Sequence, residues 1–180
     1  GLFNRRAFDE WCNNDFEKAK LKQQPLTVAI LDIDNFKNVN DEYSHLIGDQ
    51  VIKKIADILQ DVIQSSTAQV KLARWGGEEF TLLINSDVEK SYDFCDLLRV
   101  SIKNYDFSTI ADNLNITISI GMTDNNEVIE YDKMLNHADQ ALYFAKHNGR
   151  NQVKIYQRED SDNNKKVDKR ITKVIRAKSR

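Results

Sequence analysis

The chain has 180 residues, 41% of them hydrophobic and 30% charged, with six glycines and one proline. That composition excludes a disordered chain, a collagen-like repeat and a linker-rich assembly, and the length suits one domain with its own core. The formal charge of −2 gives no overall case for nucleic-acid binding, but residues 164–180 hold eight Lys or Arg against one Asp, which leaves −9 on the rest.

In chain order, Phe8, Trp11, Cys12, Phe16 and Ala19 recur at spacings of three and four and predict an amphipathic helix over residues 4–20. Pro25 stops it and introduces the β-branched run 26–31, a central strand that ends in Asp32-Ile33-Asp34. A second helix is predicted over 49–63, with Asp49 as its N-cap. Residues 70–74 and 80–84 read as strands joined by a hairpin at Gly76-Gly77. A helix over 88–104 follows, with Tyr92, Cys95, Leu98 and Ile102 in phase. Residues 115–121 alternate with period two and predict a strand buried on one face. A helix over 130–147 and a short strand over 153–156 complete the pattern. This order predicts an α+β fold, with flanking helices packed on a mainly antiparallel central sheet. The two cysteines, Cys12 and Cys95, have no metal-type spacing and read as core thiols, which suits a reducing compartment. No run approaches the length of a membrane span, and neither common glycine-rich nucleotide fingerprint is present.

Carboxylates concentrate where strands would converge. Asp32 and Asp34 project to the same side of the first strand. Glu78 and Glu79 sit on the hairpin facing opposite ways, so at most one of them lines up with Asp32. Such oxygen donors suit Mg²⁺ or Mn²⁺ and the chemistry of phosphoryl transfer. Aspartate at a strand end is also ordinary turn chemistry.

The segment Arg74-Trp75-Gly76-Gly77-Glu78-Glu79-Phe80 resembles the signature of the GGDEF family, the diguanylate cyclases, in its GGEEF form. Further blocks agree in family order. Gly1-Leu2-Phe3-Asn4-Arg5-Arg6-Ala7-Phe8 is similar to the family opening, and residues 32–41 are similar to its DxDxFKxxND segment. His45-Leu46-Ile47-Gly48-Asp49 resembles HxxGD, residues 115–121 resemble the TxSIG strand, and residues 138–151 resemble the ADxALYxAKxxGRN close.

The resemblance implies a sheet related to polymerase palms and nucleotidyl cyclases. It implies the condensation of two GTP into cyclic di-GMP with release of two pyrophosphates, between two domains that meet antiparallel as a homodimer. Carried over position by position, it makes Asp32 and Glu79 metal ligands, with the Ile33 carbonyl assisting, for two Mg²⁺ (or Mn²⁺) per site. It makes Glu78 the candidate base or a metal-associated carboxylate, and leaves the division of roles between the two glutamates open. Phe36, Lys37, Gly76, Gly77, Lys146 and Arg150 fall to the phosphates, the last two expected one helical turn apart. Asn40 and Asp49 fall to guanine, whose ring N–H and amino group a carboxylate can accept together. Asp34 receives no role, and Asn4-Arg5-Arg6 is expected to be structural or interfacial.

Two positions depart from the family pattern. Ser44 replaces the usual glycine before His45, which strains the loop by about 1 kcal/mol if φ is positive there. The RxxD product-inhibition site is missing, because Thr67 and Val70 stand at its ends. The expected organisation is a catalytic domain over 1–157 and a basic tail over 158–180, cut from a longer cytoplasmic or membrane-anchored protein with an N-terminal sensor. The alternatives are an inactive module that binds GTP or cyclic di-GMP, and a dimerisation module whose tail docks on a membrane or partner. Val167, Ile171, Val174 and Ile175 share one helical face of that tail, although a solvated end is the favoured reading.

Overall fold

The computed structural model describes residues 5–126, 128 and 130–157, so the tail and its apolar face lie outside the described residues. The elements run α1 (Arg5–Lys22), β1 (Thr27–Ile33), α2 (Phe36–Tyr43), α3 (His45–Ser65), β2 (Val70–Gly76), β3 (Glu79–Ile84), α4 (Val88–Asn104), a 3₁₀ turn (Phe107–Thr109), β4 (Ile118–Asp124), α5 (Tyr131–His147) and β5 (Val153–Ile155). The sheet order is β2-β3-β1-β4-β5, antiparallel throughout except for the β4–β5 pair. This is the α+β architecture expected from the sequence.

Every residue of β1 is buried because β1 is the central strand and carries helices on both faces. Ala29, Leu31 and Ile33 pack with Val51, Ile55 and Leu59 of α3 and with Cys95, Leu98 and Ile102 of α4. The alternate residues Val28 and Ile30 pack with Phe8, Cys12 and Phe16 of α1 and with Met134, Ala138 and Leu142 of α5. Asp32 and Asp34 continue that second row, so the pleat carries both carboxylates to the α5 side.

Four expectations are corrected. The strand expected at 115–121 is Ile118–Asp124, and it is buried on both faces between α4 and α5. Trp11 is 42% exposed, with the Lys71 ammonium over its ring, and Tyr92 is also exposed; helical phase gives the direction of a side chain and not its depth. The helix α2 is additional, since its eight residues bury only Phe36 and Val39 and leave too short a periodic signal. Asp49 is not an N-cap, because α3 begins four residues earlier at His45.

The true cap is Ser44, whose hydroxyl accepts from the Ile47 N–H at 3.4 Å. Its backbone lies at φ 126°, which is glycine territory. Ser44→Gly relieves that strain and loses only a weak cap bond, so it is expected to stabilise the protein by about 1 kcal/mol. Equal or lower stability of the variant in urea unfolding would count against this account.

Candidate active site

The end of β1 is where the sequence motifs meet. Asp32 lies opposite Glu79 of β3 in the antiparallel register, and opposite Ser119 of β4 on its other side. Directly opposed residues share a face, so Asp32 and Glu79 project together toward α5. Of the two hairpin glutamates it is therefore Glu79 that aligns. The unbroken β1–β3 register sets this, while a shift in the β2–β3 pairing between Arg74 and Gly76 pairs Gly76 with Glu79 and leaves Gly77-Glu78 as the turn. The Glu78 carbonyl accepts from the Ile33 N–H at 3.4 Å, and Arg74 Nε donates to the Gly77 carbonyl at 2.9 Å, which stitches the turn to β1 and to itself.

Gly77 sits at φ 52°, in the left-handed region that glycine enters at least cost. A Cβ at Gly76 would meet no protein atom within 4 Å, so the fold leaves open space beside the turn.

Lys146 comes down onto the site from α5 and pairs with Asp32, Nζ to Oδ2 at 2.6 Å. Its placement depends on Gly121 of β4. A Cβ there would lie 2.0 Å from the Leu142 nitrogen and 2.2 Å from the Ala138 carbonyl oxygen, so α5 rests directly on the strand. Lys146 is one turn beyond Leu142 on the same face, which carries it to Asp32.

Asp32 is 5% exposed. Burial pushes its carboxyl up to about 6, against the pull of Lys146, and the charges of Glu78 and Glu79 add to the rise. Among the described residues no three His, Cys, Asp or Glu side chains are gathered as a metal site. The donor set nevertheless fits a hard cation: it is all oxygen, and its buried carboxylate already lies beside a positive charge and two nearby glutamates.

Phe36 and Lys37 form the first turn of α2, where helical N–H groups lack intrahelical partners; the helix starts after Asn35 at φ 55°, with no side-chain cap. Asn40 of α2 packs against α3, and Gly48 makes this possible, since a Cβ there would lie 2.0 Å from Asn40 Oδ1. Asn40 and Asp49 thus share the α2–α3 corner, with Asp49 exposed. Thr67 is exposed ahead of β2, and Val70 is the first residue of that strand.

The expectation for Arg150 is corrected. It does not lie one turn along the helix from Lys146, because α5 ends at His147. Gly149, at φ 106°, turns the chain, and the Arg150 N–H closes back on the Ala145 carbonyl at 3.0 Å. Asp34, which the motif left without a role, is the hub of a buried network that binds the next residue, Asn151.

The family model described as "Diguanylate cyclase, GGDEF domain" matches residues 1–152. The chain belongs to the GGDEF family. Among curated relatives, this GGDEF chain is 31% identical over 155 residues to the diguanylate cyclase DgcS of Shewanella oneidensis, covering 86% of the chain and 50% of that protein. It is 32% identical over 157 residues to an uncharacterised membrane protein of Staphylococcus aureus, covering 85% of the chain and 43% of that protein. The chain therefore spans about half the length of such relatives or less. Among solved structures, the active GGEEF domain of a diguanylate cyclase from Vibrio cholerae superposes with a TM-score of 0.81 at 33% identity, covering 88% of this chain and all of that one. The GGDEF fold expected from the sequence is thereby established. Among the described residues no helix is long and apolar enough to cross a membrane.

Proposed function

We propose that this GGDEF domain is an active diguanylate cyclase that joins two GTP into cyclic di-GMP and releases two pyrophosphates. The observation that carries the reading is the in-register Asp32–Glu79 pair at the end of the central strand, beside an open Gly-Gly hairpin. Each 3′-oxygen forms a bond to the α-phosphorus of the other nucleotide as the bond to the pyrophosphate oxygen breaks. Asp32, Glu79 and the Ile33 carbonyl are the residues that would hold two Mg²⁺ or Mn²⁺. When bound, such ions neutralise charge that develops on the transferring phosphoryl group. Glu78, on the turn next to Glu79, is the candidate to take the 3′-hydroxyl proton.

The first turn of α2, Lys146 and Arg150 provide donors for the β- and γ-phosphates. Gly76 and Gly77 let the backbone come near the α-phosphate without a side chain in the way. Asn40 and Asp49 read guanine at the α2–α3 corner, where an ionised aspartate favours GTP over ATP. In this reading one domain holds one GTP, so a second copy of the chain must supply the other and fix its orientation. The missing RxxD at Thr67 and Val70 removes the usual product-inhibition contact. We further propose that a sensory segment precedes the domain and that the site works in the cytoplasm, where GTP is found.

Chromatography of products formed from GTP and Mg²⁺ across a series of protein concentrations tests the reading. Cyclic di-GMP is expected, with a rate per molecule that rises with concentration. Binding of GTP without cyclic di-GMP at any concentration would instead favour the non-catalytic regulatory module.

A further inference from the structure

We propose that Asp34 is a positioning residue for the terminal phosphates of GTP, acting through the turn that presents Arg150. The inference rests on the assignment of Arg150 to those phosphates and adds to it the means by which the guanidinium is aimed. Asp34 is only 6% exposed. Its carboxylate accepts from Thr117 Oγ1 at 2.7 Å, from Ser119 Oγ at 2.6 Å and from the Asn151 backbone N–H at 3.0 Å. Its own N–H donates to the Thr117 carbonyl at 2.9 Å. Three donors converge on this carboxylate from two separate segments. Asp34 is thus committed to the protein, whereas Asp32, two residues earlier, meets a lysine in reach of solvent.

What Asp34 holds is an unusual piece of backbone. Gly149, Arg150 and Asn151 follow one another at φ 106°, 61° and 43°. Two of these are not glycine, and such residues persist in this region only where their surroundings over-determine them. Here both neighbours of the Arg150 side chain are pinned. On one side the Arg150 N–H is tied to the Ala145 carbonyl at the end of α5. On the other the Asn151 N–H is tied to Asp34, while Asn151 Oδ1 accepts from Arg99 Nη1 at 2.9 Å. Gln152 Nε2 closes the loop by donating to the Ala145 and Asn148 carbonyls at 2.9 and 2.7 Å. Arg150 itself is exposed and lies between these two anchors. The place and angle at which its side chain leaves the backbone are properties of the turn, and the turn is set from inside the sheet by Asp34. Asp34 directly follows β1, the strand that carries Asp32, so one segment references both the metal-type donors and the phosphate donor.

A double-mutant cycle tests this on the full chain, with calorimetric binding of 3′-deoxy-GTP, which lacks the attacking hydroxyl, and of GMP, which lacks the β- and γ-phosphates. Arg150→Ala is expected to weaken 3′-deoxy-GTP about tenfold and to leave GMP within about twofold. Asp34→Ala is expected to weaken 3′-deoxy-GTP by about five- to tenfold, with GMP again little changed. The double variant is expected to bind no more weakly than Arg150→Ala alone, because both changes remove one contact. Losses that multiply, or an Asp34→Ala loss that is equal for GMP, would overturn the proposal and leave Asp34 a structural residue. No loss in Arg150→Ala would overturn the phosphate assignment beneath it and this proposal with it. Should Asp34→Ala fail to fold, Asp34→Asn keeps the volume but cannot accept all three donors, and the same outcomes apply.

Discussion

Asp32→Asn is expected to lower cyclic di-GMP formation by about a thousandfold or more and, in metal-free buffer at pH 8, to raise the stability of the protein. The two effects share one cause. The Asp32 carboxyl is buried, and burial pushes it up to about 6, above the ordinary aspartate value near 4. Lys146 opposes that shift, while Glu78 and Glu79 add to it. Between about pH 4 and pH 6 the unfolded chain releases a proton that the folded chain retains. The stability this proton contributes is complete below about pH 4 and is lost as the pH rises through about 6. At pH 8 the fold therefore carries an ionised carboxylate it holds unfavourably, an effect of about 3 kcal/mol at 1.4 kcal/mol per pH unit.

That load is already net of the Lys146 attraction; an asparagine removes both together, and Lys146 is partly exposed and able to turn to water. The net gain expected is about 2–3 kcal/mol at pH 8, or several degrees in Tm, shrinking to nothing near pH 4. Thermal melts of both proteins in EDTA at the two pH values check it. A variant no more stable at pH 8, or equally stabilised at both, would contradict the assigned strain. Unchanged product formation in both Asp32→Asn and Glu79→Ala would remove the metal assignment.

Gly121→Ala is expected to destabilise the protein by about 3 kcal/mol or more. The new Cβ would stand 2.0 Å from the Leu142 nitrogen and 2.2 Å from the Ala138 carbonyl oxygen. Both are backbone atoms of α5, so no rotamer relieves the contact and the whole helix must lift. That helix buries Met134, Ala138, Ala141, Leu142 and Ala145, three of them alanines that permit the close approach. Lifting it loosens packing along its length and carries Lys146 away from Asp32. Urea unfolding should show a lower midpoint with little change in slope, and cyclic di-GMP formation should fall with it. A loss under about 1 kcal/mol would mean that the sheet yields locally and that Gly121 does not fix the helix.

The sequence by itself determined the family, the element order apart from α2, and the residue types of the site. Periodicity and the strand-ending Asp32-Ile33-Asp34 are local signals, and the Gly76-Gly77-Glu78-Glu79 turn is legible because glycine there answers a local backbone demand. It also limited the partner of Asp32 to one of two glutamates, since alternation along a strand is a local rule. The family motif already named Glu79, but the physical reason that it faces Asp32 belonged to the tertiary structure, because it follows from the β1–β3 register. Depth was tertiary too: Trp11 and Tyr92 lie on plausible helical phases and still reach solvent.

Asn148-Gly149 could have signalled the end of α5 and moved Arg150 off the helix, since asparagine and glycine commonly close helices. No comparable signal marks Asp34. Its partners Thr117, Ser119 and Asn151 stand 83, 85 and 117 residues away, brought to it by strand pairing and by the turn after α5. A carboxylate that anchors and one that faces a lysine look alike two residues apart in a sequence. What separates Asp34 from Asp32 is the set of donors that only the folded sheet assembles around each.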